Sequence, residues 1–155
     1  MLGGMAGCAA TSASHRAEAA GAAPSTETPT DTADLPSLYT RLGGLPAITL
    51  VVEGLLERAF SDERINYTWA GSALPRVRTR LIEFICVATG GDCIYTGRDM
   101  ERAHRHLTIT GEQFDVLVQH LISTLEAARV PAREQGELLA LLGPLKDAIV
   151  RRELP

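Results

Sequence analysis

The sequence predicts an all-helical domain, and three observations carry that prediction. From Leu35 onward apolar side chains recur at helical spacing, and no run alternates apolar with polar residues as a half-buried strand would. The periodic stretches are punctuated by the glycine pairs Gly43-Gly44 and Gly90-Gly91 and by Pro75, Pro131 and Pro144. Thr110-Gly111-Glu112-Gln113 has the form of a capping box, in which two side chains satisfy the free amides of a helix start.

Taken in order, Leu38 to Leu42 form a short helix stopped by Gly43-Gly44, whose missing Cβ atoms permit a turn with positive φ. A second helix carries Ile48, Val51, Val52, Leu55, Leu56 and Ala59, the stripe of a core-facing element. Ser61-Asp62 and Gly71-Ser72 bracket an irregular stretch containing Tyr67 and Trp69. A third helix starts near Pro75, which suits a first turn, and directs Val77, Leu81, Phe84, Ile85 and Ala88 inward before Gly90-Gly91 ends it. A short helix then bears His104. The capping box opens a further helix with the stripe Phe114, Leu117, Val118, Leu121 and Leu125, broken at Val130-Pro131. The last helix turns Leu138, Leu141, Leu142, Leu145 and Ile149 inward and should kink at Pro144.

The 155 residues suffice for one domain with a sizeable core, here residues 35–155. Residues 9–34 are rich in Ala, Ser, Thr and Pro, lack any period, and read, with the first eight residues, as a disordered tail and tether (1–34). Arg16 against Glu18, Glu27, Asp31 and Asp34 puts three of the four net negative charges in that tail. The remainder is nearly neutral, which argues against a nucleic-acid partner. No stretch reaches the roughly 18 apolar residues of a membrane span.

Met5-Ala6-Gly7-Cys8 resembles a bacterial lipoprotein cleavage box, but the residues before it fall short of the about 7 to 15 apolar positions that a secretory segment needs. Either a true start lies upstream and Cys8 is a lipid anchor, or the match is chance. The first alternative places the chain in a bacterial cell envelope or periplasm, the second in the cytoplasm. Cys86 and Cys93 flank Gly90-Gly91 and could be bridged, which also favours an oxidising compartment. Two reduced thiols are the alternative; a zinc site is disfavoured because too few further ligands lie nearby.

His104 closes the run Tyr95-Thr96-Gly97-Arg98-Asp99-Met100-Glu101-Arg102-Ala103-His104. A single imidazole on a short helix, with apolar neighbours and arginines able to meet anionic groups, suits the proximal side of a haem. The other histidines fit less well: His15 is in the tail, His106 points to another side of the helix, and His120 belongs to a later one.

Ser37-Leu38-Tyr39 before Gly43-Gly44, Val51-Val52-Glu53, Gly90-Gly91, Tyr95-Thr96-Gly97, His104 with Ile109-Thr110 after it, and Val130-Pro131 occur in one order across about residues 35–151. In that order and spacing the chain resembles the group I truncated haemoglobins. The resemblance implies a globin-like, truncated two-over-two helical sandwich, a haem b cofactor, and His104 as the proximal iron ligand. It implies reversible binding of a diatomic gas: oxygen, nitric oxide or carbon monoxide. Trp69, Val77, Leu81, Ile85, Ile94, Met100, Leu107, Ile109, Phe114, Val118 and Leu142 would wall the pocket, although plain core packing accounts for the same list. Arg80, Arg98 and the Tyr95 hydroxyl would meet the propionates. Cys86 and Cys93 are similar to the disulfide pair of a paired-cysteine subset.

Departures concentrate on the distal side, where Leu56 stands in place of the usual tyrosine, Leu81 of a frequent glutamine, and Trp69 of a phenylalanine. Without those donors dioxygen should leave fast and the iron autoxidise readily, with carbon monoxide and nitric oxide favoured. The Trp69 indole N–H would restore one donor if turned inward. Alternative functions are nitric oxide dioxygenation or peroxide chemistry, which would require an electron-donating reductase and a distal group, and gas sensing, for which no output domain is attached.

Overall fold

A computed structural model describes residues 35–151; the expectations for Cys8, His15 and the 1–34 tail lie outside them. The first helix, α1 (Leu38–Leu42), is capped by Ser37, whose hydroxyl accepts from the Thr40 amide at 3.3 Å. Gly43 and Gly44 then turn the chain with φ of 100° and 70°, values that a residue with a Cβ adopts only under strain. The long helix α2 (Gly44–Ser61) follows, and all six residues of its predicted stripe are buried.

After α2 the stretch around Tyr67 and Trp69 is not irregular throughout but forms one 3-10 turn, Asn66–Trp69. Next comes α3 (Leu74–Ala88), with Pro75 in its first turn, where a missing amide leaves no bond unmade. Five residues, Met100–His104, make α4, and the Asp99 carboxylate caps it by accepting from the Arg102 amide at 2.8 Å. The capping box at Thr110 and Gln113 opens α5 (Gly111–Ala127) with both of its reciprocal bonds formed. The expected single last helix is divided into α6 (Ala132–Leu142), a 3-10 turn (Gly143–Leu145) and α7 (Lys146–Ile149). Pro144 has no amide to donate, so the chain tightens there instead of merely bending.

Helix α2 is the hub, packing extensively against both α3 and α5. Its approach to α5 is set by Gly54: a Cβ there would sit 2.9 Å from Thr124 Cγ2, so any side chain would push the two helices apart. Leu38, Val52, Leu55, Leu56, Ile85, Cys86, Leu121, Leu125 and Leu138 belong to one continuous buried cluster. The void enclosed there, between Leu42, Ile48, Val51, Leu125 and Leu138, is about 10 Å³, which leaves no room for an organic ligand in the core itself.

Two inward assignments need correction. On α3 only Ile85 and Cys86 are buried, whereas Val77, Leu81, Phe84 and Ala88 are half-covered, because α2 is the one helix against which α3 packs extensively. On α6 the covered row is Glu134 and Leu138, one helical turn apart; Leu141 lies at its edge and is 45% exposed. Glu134 is buried through an ion pair with Arg41 Nη1 at 2.7 Å. The same guanidinium also donates to Glu137, which clamps α1 to α6. Arg41 thereby holds the Glu137 carboxyl below the usual carboxylate range.

Candidate haem-binding site

His104 is the last residue of α4, half-buried, with Nδ1 2.9 Å from the carbonyl oxygen of Met100 one turn earlier. A carbonyl only accepts, so Nδ1 must carry the proton, and in the neutral ring Nε2 keeps its lone pair. That tautomer, fixed by a backbone acceptor behind the ring, is the form in which imidazole ligates a metal. His120 differs in this respect: its Nε2 lies 2.8 Å from Asp62 Oδ2 and is already engaged. His106 is exposed. Among the described residues no three His, Cys, Asp or Glu side chains converge on one point, so a metal at His104 would bring its remaining ligands with it.

Of the expected wall, Ile85 and Phe114 are buried in the protein's own packing, as is Leu56 of the distal side. Trp69, Val77, Leu81, Met100, Leu107, Ile109, Val118 and Leu142 are half-covered. Trp69, Val77, Leu81 and Leu142 pack against the edge of the core and keep part of their apolar surface uncovered, as residues that a flat hydrophobic cofactor would cover must. Ile94 does not belong with them, being 81% exposed. Its neighbours explain this. Cys93 is bridged to Cys86 (Cα–Cα 6.0 Å) and the Tyr95 ring packs edge-on to Phe84 at 5.5 Å, so in this extended stretch the residue between them points outward.

The propionate candidates divide. The Tyr95 hydroxyl donates to the Arg98 carbonyl at 2.6 Å, so its single proton is committed and it is a poor donor to a carboxylate. Burial raises the pKa of this phenol. Arg80 pairs with Glu83 at 2.8 Å. Arg98 is exposed and has no ion pair among the described residues, which leaves its guanidinium the most available of the three.

Two positioning contacts escape a reading by residue type. Glu83 accepts from the Thr96 amide at 3.0 Å and from its hydroxyl at 2.9 Å, fastening α3 to the loop that delivers α4, and the Thr96 amide is the main reason its carboxyl sits below its ordinary value. From the other side α7 packs on α4; the Arg151 amide donates to the Ile109 carbonyl at 3.0 Å and its guanidinium to the Arg105 carbonyl. A shallow, open surface depression lies between Arg58, Asp62, Arg64 and His120 and includes none of the expected site residues.

The profile of the bacterial-like globin family matches residues 37–151 of the chain. The chain belongs to that family. The group 1 truncated hemoglobin of Mycolicibacterium paratuberculosis is 34% identical over 117 residues, covering 76% of this chain and 86% of the relative. That of Synechocystis sp. is 34% identical over 111 residues, covering 69% and 90%. The crystal structure of the 2/2 hemoglobin from Synechococcus sp., in the cyanomet state with covalently attached heme, superposes with a TM-score of 0.71 at 28% identity, covering 76% of this chain and all (100%) of that one. The truncated hemoglobin of Tetrahymena pyriformis gives 0.72 at 20% identity, a likeness of fold. The all-helical, two-over-two architecture expected from the sequence is thus the architecture of this globin.

Proposed function

We propose that this truncated globin binds haem b with His104 Nε2 as the iron ligand and holds a diatomic gas reversibly. The single observation that carries the reading is the hydrogen bond of His104 Nδ1 to the Met100 carbonyl: Nδ1 donates, and Nε2 of the half-buried ring keeps its lone pair. When bound, the iron supplies the gas-binding position. The chain's residues do the rest. The Met100 carbonyl orients the imidazole, Val77, Leu81, Leu107 and Val118 would keep water from the cofactor, and Arg98, with Arg80 if it leaves Glu83, would meet the propionate charge. Oxygen, nitric oxide and carbon monoxide are the gases in question. The disulfide and the Cys8 box support a cell-envelope location, with residues 1–34 as tether.

Hemin titration tests the assignment. The wild-type protein should develop a sharp Soret band at one equivalent; His104→Ala should lose it, and His106→Ala should keep it. An unchanged band in His104→Ala refutes the ligand.

A further inference from the structure

The distal corner of the fold holds one polar group with nothing to bond. Among the described residues the Trp69 indole Nε1 is the buried side-chain nitrogen or oxygen that lacks a hydrogen-bond partner. A buried donor left unpaired is destabilising by about 1 to 3 kcal/mol, so a folded protein that keeps one calls for an explanation. The neighbouring Thr68 hydroxyl and the Thr124 and Gln113 side chains of α5 are engaged elsewhere. The Thr68 hydroxyl donates to the Ile65 carbonyl at 2.6 Å, the Thr124 hydroxyl to the His120 carbonyl at 2.7 Å, and the Gln113 amide is shared between its capping box and Tyr67.

The position of the indole adds meaning to its lack of a partner. Trp69 ends the 3-10 turn ahead of α3 and meets Phe60 edge-on at 5.5 Å. Phe60 lies one helical turn beyond Leu56 on α2, so the indole stacks against the same row of α2 in which this chain has a leucine for the usual tyrosine. Leu56 is itself buried, and Leu81 and Val77 on the facing helix bring no donor.

We propose that the Trp69 indole N–H is the distal hydrogen-bond donor of this globin, acting on a polar diatomic ligand in place of a tyrosine at position 56. This rests on the haem reading above and changes one consequence of the sequence: the pocket is apolar but not without a donor. An indole donates and cannot accept, and it does not ionise. It therefore favours ligands that gather negative charge, dioxygen above all, over carbon monoxide. As the only tryptophan of the chain, it can be followed without ambiguity.

The test compares two gases on one protein. Trp69→Phe keeps the ring and removes the N–H; dioxygen should dissociate about tenfold faster or more, while carbon monoxide dissociation stays within about twofold. Leu56→Tyr placed on that background should slow dioxygen loss again. Equal changes for both gases, or none, overturn the proposal and leave a packing role. A second measurement needs no variant. With 15N-indole label the wild type gives one ring N–H signal, and in the diamagnetic ferrous forms it should lie downfield with dioxygen relative to carbon monoxide. Identical positions refute the donor. Failure of the wild type to give a Soret band with hemin would instead refute the haem reading.

Discussion

Helix α2 and helix α4 sit in one small domain under opposite conditions. Six residues of α2 are buried, none more than 7% exposed, and the helix packs against neighbours on two sides. No residue of α4 is buried; the helix has five residues and rests on α7, the Glu83–Thr96 bonds and the Arg151 contacts. The difference teaches where the protein's stability and its chemistry lie. The hub supplies nearly close-packed burial that needs no ligand, whereas the imidazole is presented by a segment with little burial of its own.

Truncation at the two places should separate them most widely. Leu125→Ala, at a fully buried position facing α2, should destabilise the haem-free protein by about 2 to 5 kcal/mol in urea unfolding, whereas Met100→Ala should fall within about 1 kcal/mol. Met100→Ala should nonetheless speed haem loss to a scavenging apomyoglobin. Equal stability losses at both sites would abolish the distinction between hub and ligand segment.

The disulfide ties α3, the partner of the hub helix, to the loop that leads to α4, since Cys86 ends the buried part of α3 and Cys93 lies in that loop. Replacing both by serine should lower stability by about 2.5 kcal/mol in the chain-entropy picture of a short closed loop. The native protein should take up alkylating reagent at these positions only after reduction. Ready alkylation of protein freshly taken from its own cells would count against the envelope location.

The smallest effect is electrostatic. Glu137 beside Arg41, Asp62 beside Arg64 and Glu83 beside Thr96 all have carboxyl groups held below their ordinary values in the folded state. Their contribution is complete above the unfolded carboxylate value of about 4 and is lost as pH falls through the lower folded values. Stability should therefore decline below about pH 4.5, with a shallower decline in Glu137→Gln, as read from the urea midpoint across the acid range. An unchanged slope in that variant would remove Glu137 from the acid response.

What could be read from the residues follows the same division. The α2 stripe was fully legible because a helix packed on two sides shows its period as a row of apolar positions, and each of those residues is buried. The capping box was legible because it is local. Val77, Leu81 and Phe84 carry an equally good period, yet the face they cover depends on what lies opposite, which no periodicity encodes. Ile94 looked like pocket wall by residue type; its direction is set by anchors on either side. Pro144 announced an interruption but not that the helix would tighten into a 3-10 turn. The Tyr95 hydroxyl reads by residue type as a donor to a ligand, whereas it donates to the Arg98 carbonyl three residues away.

The seat of α4 on α7 has a consequence for the order of events during synthesis. The ribosome releases the hub helix and its first partner long before residues 146 to 151 emerge, and domains gain structure from the amino end as they are made. The helices against which α2 packs, α3 and α5, both precede α7 in the chain, so the support of the histidine segment is made after the parts of the hub. Loosening the α7 contacts should therefore leave the α2 core in place while freeing the segment that carries His104.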